Sequence, residues 1–118
     1  MAETIYDVVI IGAGPAGIQD AIHAARRKIR VLMLGRIENS ALFGAHIENY
    51  AFVPGVTTGA ALLQGGLEQA RGFGTEIAPE DVLKIVRTDE MFHLELESGR
   101  SIVAAALVFS MGVAKKKL

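Results

Sequence analysis

Gly12, Gly14 and Gly17 stand at GxGxxG spacing inside the stretch Asp7-Val8-Val9-Ile10-Ile11-Gly12-Ala13-Gly14-Pro15-Ala16-Gly17. The chemistry this spacing serves is the binding of a dinucleotide pyrophosphate. The first glycine permits a sharp turn, and the second lacks the Cβ that would hold a phosphate away from the backbone. The third lets the following helix pack closely on its strand. A helix that opens here aims its unpaired N–H groups and its positive dipole end at the same point. Pro15 falls in the first turn, where a missing N–H costs nothing. Gly12, Ala13, Gly14, Pro15, Ala16 and Gly17 are therefore the candidate cofactor-binding loop. The motif carries weight because of its place between a strand and a helix. It does not separate FAD from NAD(P).

The elements around the loop can be read from the spacing of apolar residues. Val8, Val9, Ile10 and Ile11 are consecutive and β-branched, which suits a strand covered on both faces, as in a parallel sheet. The pattern predicts a helix over 15–28, with Ile18, Ile22 and Ala25 as its buried stripe, helped by Ala21. Arg26, Arg27 and Lys28 form either an anion patch or, as preferred here, favourable charge at the negative end of that helix. His23 lies off the stripe. A second strand follows over 31–34. In a Rossmann-type unit an acidic residue at its end would grip the adenosine ribose, but this chain has Gly35 and Arg36, with Glu38 beyond. Arg36 can face a 2′-phosphate, stack on adenine or be solvated, and the residues alone leave the three open.

Residues 37–56 show no period and read as a long loop across the carboxyl ends of the strands, with His46, Glu48 and Asn49 as its polar candidates. The alternative is that Glu48 and Asn49 only hold the loop through local hydrogen bonds. A second helix starts at Thr57 or Thr58 as N-cap and runs to about residue 71, with Leu63, Leu67 and Ala70 on one face. Gly65 and Gly66 in its middle should cost about 1 kcal/mol each relative to alanine, which suggests close backbone approach or a weak helix. Gly72 and Gly74 end it. From Thr75 the period becomes two. Strands over 75–77, 82–87 and 92–97 are separated by turn residues at Asp89-Glu90 and Ser98-Gly99-Arg100. A strand over 101–103 finishes a three-stranded meander, and a further apolar strand over 106–109 returns to the parallel sheet. It ends at Ser110-Met111-Gly112, near the glycine loop. His93 is on the polar face with no second ligand beside it, so a metal or acid–base role is disfavoured. The fold class expected is α/β: a Rossmann-like parallel sheet with a glycine-loop βαβ unit and an inserted three-stranded antiparallel β-meander.

Composition bounds the function. The 118 residues make one domain at most, 51% of them are hydrophobic, and the net charge is −1. That balance gives no electrostatic case for nucleic acid or an anionic membrane. The absence of cysteine excludes disulfides and thiolate metal sites within the chain. The N-terminal apolar run is too short to span a bilayer and no signal peptide is visible, so a cytoplasmic protein is the default expectation. The chain is also shorter than a two-domain dinucleotide-dependent enzyme. It should be a small binding module or a piece of something longer.

With strand, glycine loop, helix, strand, long loop, helix, strand, meander and strand in this order, the chain resembles the N-terminal FAD-binding segment of thioredoxin-reductase-like pyridine nucleotide-disulfide oxidoreductases. The resemblance covers nearly the whole chain. It rests on Asp7 to Gly17, Ala24-Ala25-Arg26, Ile47-Glu48-Asn49-Tyr50, Thr58-Gly59, Phe73-Gly74-Thr75-Glu76-Ile77 and Leu107 to Gly112. It implies FAD, with the pyrophosphate on Gly12 to Gly17 and the adenosine near Gly35, Arg36 and Val82. Asn49 would lie along the flavin and Gly112 would close the site. It also implies that NAD(P)H binds only at a domain absent from this chain, and that electrons pass to a CxxC and a redox partner protein. The chain departs from the family pattern at Asn39-Ser40-Ala41, where a Gly-Gly-Gln turn is usual, and at Ser110-Met111-Gly112, where Ala-Thr-Gly is usual. Alone it should be catalytically silent. It should also self-associate through an uncovered sheet edge. The alternative is a stand-alone dinucleotide-binding module, for NAD(P) or FAD, with a regulatory or non-catalytic role.

Overall fold

The β-branched run 8–11 forms the carboxyl half of a central strand with a parallel neighbour on each side. A computed structural model describes residues 4–111. Gly112, one of the expected site residues, and the basic end at 115–117 lie outside the described residues. In chain order the elements are β1 (Thr4–Ile11), α1 (Pro15–Ala25), β2 (Val31–Leu34), a single 3-10 turn (Ile37–Asn39), β3 (His46–Ile47) and β4 (Thr57–Thr58). They are followed by α2 (Gly59–Gly72), β5 (Glu76–Ala78), β6 (Val82–Thr88), β7 (Met91–Leu96) and β8 (Ser101–Phe109). The main sheet has six strands in the order β5-β2-β1-β8-β7-β6. β1 is parallel to β2, with Val8 opposite Val31, and to β8, with Ile11 opposite Phe109.

The expected architecture is present, with two corrections to its boundaries. The strands read as 101–103 and 106–109 are one strand of nine residues. No glycine or proline interrupts them, and the intervening Ala104 pairs on both sides, with Tyr6 of β1 and Phe92 of β7. β8 thus closes the antiparallel meander and extends the parallel sheet at once. The helix read as 15–28 stops at Ala25, and Lys28 takes a left-handed φ of 61° where the chain reverses towards β2. Thr58 rather than Thr57 caps α2, its Oγ1 accepting from Ala61 N at 3.1 Å. The long loop is partly ordered by pairing β3 with β4, His46 opposite Thr58.

Both faces of the sheet are covered, which is why the run 8–11 carries no polar residue. On one face Ile10, Val31 and Met33 pack against Ile18, Ala21 and Ile22 of α1 and Leu63 and Leu67 of α2. On the other, Tyr6, Val9, Ile11, Leu32 and Leu34 pack with Leu94 and Leu96 of β7 and Ile102 of β8. The edge strand β6 keeps Leu83, Ile85 and Val86 exposed.

At the amino end of β1 the buried Tyr6 ring lies under the Arg30 guanidinium, 4.9 Å from its centroid. Its hydroxyl donates to Glu76 Oε2 at 2.5 Å and accepts from Arg100 Nη2 at 2.6 Å. Arg30 also pairs with Glu76 at 3.3 Å. The cluster ties β1, β2, β5 and β8 together opposite the glycine loop. Burial, and then the bond to Glu76, raise the Tyr6 phenol above its ordinary pKa, while the hydrogen bond from Tyr6 draws Glu76 below the ordinary carboxylate value of 4.5. Because the native pKa of Glu76 is lowered, its stabilisation is complete above pH 4.5 and is lost as pH falls through the native value. Both partners of the ion pair are about half exposed, so its net worth is under about 1 kcal/mol. Glu76→Gln should flatten the acid side of the Tm-against-pH curve and leave its neutral plateau only slightly lower. An unchanged acid slope would refute the role of this pair.

The two glycines inside α2 divide by environment. A Cβ at Gly65 would meet nothing within 4 Å, whereas one at Gly66 would lie 2.9 Å from Ile18 Cγ2. Gly66 is the close approach between the helices, and Gly65 is a propensity cost alone. Gly65→Ala should stabilise by about 0.5–1 kcal/mol. Gly66→Ala should gain less or lose stability, as read by denaturant midpoints.

Candidate functional site

Because β1, β2 and β8 run parallel, their carboxyl ends open on one side of the sheet, and the chain turns there build a cleft of about 1310 Å³. Ile11 to Ala16, Leu34 to Arg36, Asn39 to Leu42, Glu80 to Ile85 and Phe109 to Met111 line it.

The three glycines have different jobs. Gly12 has a φ of 125°, donates its N–H to Leu34 O at 2.8 Å and passes under the end of β8, where a Cβ would come 2.5 Å from Ser110 O. A Cβ at Gly17 would overlap the Gly12 carbonyl oxygen. Gly12 and Gly17 therefore allow strand, turn and helix to cross in contact. Gly14 differs. Its φ of −86° suits any residue, and a Cβ there would meet only Ser40, with Oγ at 3.3 Å. Gly14 is also the N-cap of α1, with no side-chain cap and no acidic residue in the first turn. The first N–H groups and positive dipole end of an eleven-residue helix thus face a cleft from which side-chain bulk is missing.

Of the expected site residues, Gly12, Ala13, Gly14, Pro15, Ala16, Gly35, Arg36 and Val82 line the cleft. Gly17 is buried beneath the loop rather than in its lining. Asn49 is exposed beyond β3 and is not brought into the cleft. Gly35 explains its own identity: with φ at 135°, a Cβ would lie 3.0 Å from Ala13 N. Arg36 is not simply solvated. Its Nη2 donates to Glu97 Oε1 in a short charged bond, and its Nη1 lies 3.6 Å from Asp81 Oδ2. Glu97 Oε1 also accepts from Asp81 N at 3.0 Å. The bond to Glu97 raises the guanidinium pKa and holds the Glu97 carboxyl below the ordinary carboxylate range.

Sequence reasoning missed the pair Asp20 and Ser110. Ser110 Oγ donates to Asp20 Oδ2 at 2.8 Å, and Ser110 N donates to Ile11 O at 2.8 Å, so the end of β8 is tied to both α1 and β1. The available signal was Asp20 itself, the one carboxylate in α1, whose other polar side chains are Gln19 and His23. The acceptor-side carboxylates Glu80, Asp81 and Glu97 were equally unmarked, since no periodicity assigns them to the rim. Among the described residues, no three His, Cys, Asp or Glu side chains are grouped to hold a metal ion, and no helix is long and apolar enough to cross a membrane.

A glycine loop between a parallel strand and a helix, with a cleft over the carboxyl ends of the sheet, defines an α/β domain of the Rossmann-like type. Residues 6–118 match the family described as pyridine nucleotide-disulphide oxidoreductase, and the chain belongs to that family. It is 44% identical over 89 residues to thioredoxin reductase from Aquifex aeolicus (strain VF5), covering 74% of this chain and 27% of that protein. It is 32% identical over 118 residues to thioredoxin reductase from Treponema pallidum (strain Nichols), covering 98% and 38%. A thioredoxin reductase structure from Gloeobacter violaceus superimposes with a TM-score of 0.88 at 30% identity, covering 97% of this chain and 36% of that one. The chain thus spans well under half the length of these relatives.

The glycine geometry makes a folding prediction. Gly17→Val should abolish the native fold or reduce stability by more than about 3 kcal/mol, because backbone rather than a movable side chain stands in the way. Gly14→Val should keep the native far-UV circular dichroism and cooperative melting. Equal stability losses for the two would show that Gly14 too is a packing glycine.

Proposed function

We propose that the cleft binds FAD and that the chain is the FAD-binding part of an NAD(P)H-dependent flavoprotein oxidoreductase of the thioredoxin-reductase type. The observation that carries this reading is the gap at Gly14, where an uncapped helix N-terminus meets the cleft and a side chain would fill the space. The extent of the family match and the names of the relatives support it. FAD, when bound, supplies a two-electron acceptor for hydride from a nicotinamide. The residues of this chain do the holding. Gly14 and the start of α1 receive the pyrophosphate, and the end of β2 with Val82 receives the adenosine. The turn 39–42 and the end of β8 flank the remaining length of the cleft. Because the 118 residues contain no cysteine, a thiol pair that passes electrons to a partner disulfide would lie in sequence outside them. Full activity, the nicotinamide site and the redox partner protein are accordingly proposed for the longer protein of which this would be a part.

Titration of the purified chain with FAD, NAD and NADP tests the reading. FAD should bind with a change in flavin absorbance or fluorescence, and Gly14→Val should weaken it by about tenfold or more, equivalent to about 1.4 kcal/mol. Binding of NADP with no affinity for FAD would overturn the assignment. So would undiminished FAD binding by a folded Gly14→Val variant.

A further inference from the structure

The sheet has open edges at β5, at β6 and along the second half of β8. An open edge presents unpaired N–H and C=O groups to any chain that fits, and its residues show whether pairing is resisted. β5 is three residues long, starts with Glu76 and is followed by Pro79. β6 carries Lys84 and Arg87, and its pairing shifts register between Val82 and Lys84. Both edges are thus protected. β8 differs. β7 pairs with it only as far as Ala104, while β1 stays paired with it to Phe109. Among the described residues, Ala105 to Phe109 therefore have no strand on one side. This stretch, Ala-Ala-Leu-Val-Phe, contains no charge, no proline and no bulge.

We propose that a second copy of the chain fills this edge, the two β8 strands pairing antiparallel about a two-fold axis at Leu107. The directions of the backbone groups fix that register. Ser110 N donates to Ile11 O on β1, so the Phe109 carbonyl in the same planar peptide points away from β1. By alternation along the strand, Leu107 and Ala105 also send their N–H and C=O groups outward. Hydrogen-bonded antiparallel pairs join outward-facing residues, and the window for them is bounded by β7 at Ala104 and by the end of β8 at Phe109. Pairing Leu107 with its own copy, and Ala105 with Phe109, satisfies every outward group in that window. The side chains fit as well. Phe109 is 59% exposed, and the residue it would face is a small one. Leu107 already packs on the core between sheet and meander and would continue it across the axis. With no charge in the stretch and a net charge of −1, two copies meet without strong repulsion. A strand edge about 17 Å long covers less than the roughly 800 Å² per partner of a standard interface, so the dimer should be a weak one. None of this rests on the cofactor reading.

Analytical ultracentrifugation of the whole chain from about 1 to about 500 μM should show a monomer–dimer equilibrium with a Kd of tens of micromolar. Ala105→Lys, at an exposed position, adds the kind of charge that protects the other edges. It should raise the Kd about tenfold or more and leave the Tm within a few degrees. The chain has no cysteine, so introduced ones report the register. Under oxidation Leu107→Cys should give a disulfide-linked dimer, because a hydrogen-bonded pair sets the two Cα atoms about 5.5 Å apart. Ala105→Cys and Phe109→Cys should each fail to link alone, being more than about 13 Å from their own copies, and should link to each other when mixed. Both positions are exposed, so the mixture decides the register even if Leu107→Cys fails to fold. A monomer over the whole concentration range would overturn the proposal and leave the edge to some other segment. So would a dimer indifferent to Ala105→Lys, or Ala105→Cys that links to itself as readily as to Phe109→Cys.

Discussion

The crossing of Gly12, Gly17 and Ser110 is the contact on which the rest of this structure depends. Three backbone segments meet there with no room for a Cβ at either glycine. β1 can turn directly into α1 only because Gly12 takes a left-handed φ, and α1 can start flat on the sheet only because Gly17 presents bare backbone to the Gly12 carbonyl. β8 must then end beside the turn, and the bonds from Ser110 to Ile11 and Asp20 hold it there. The position of the cleft follows.

A second constraint is that the central strand is buried on both faces. The helices cover one face, and the other is closed by β7 and β8 of the same sheet rather than by another pair of helices. The length of β8 makes this possible, since one strand serves as parallel partner to β1 and antiparallel partner to β7. The meander therefore does more than decorate the fold. Its hairpin is the covering layer for Val9, Ile11, Leu32 and Leu34, and its connections carry Glu80, Asp81 and Glu97 to the rim of the cleft.

Much of this was legible in the residues, and what was not has identifiable reasons. The run 8–11, the stripe Ile18-Ile22-Ala25 and the alternation Phe92-Leu94-Leu96 each fix an element, because one-sided or two-sided burial leaves a period in the chain. The glycine spacing located the loop and most of its lining. The split of β8 failed because Ala104 and Ala105 carry no strand signal of their own; what continues the strand is pairing with Tyr6 and Phe92, which are remote in sequence. Asn49 was singled out for its polar side chain on a functional-looking loop, but the β3–β4 pairing leaves it exposed outside the cleft. The partners of Arg36 were illegible for the same reason as β8: Glu97 is sixty-one residues away, and no local pattern announces it.

Arg36 illustrates how a charged residue's role is decided by its neighbours more than by its type. At the end of β2 a lone guanidinium would read as an anion receptor, and the glycine loop beside it would strengthen that reading. Fixed between Glu97 and Asp81, the same side chain instead orders an acidic rim and carries a pKa raised by that pairing. The glycine-loop end and the Arg36 end of the cleft then have opposite character. At the loop, partial positive charge comes from backbone N–H groups and the helix dipole, which belong to the fold and survive surface substitution. At the rim, the charge comes from exposed side chains that a few substitutions could reverse. A scaffold built this way fixes the charge at the loop by its backbone, and leaves the charge at the rim to residues such as Arg36, Asp81 and Glu97.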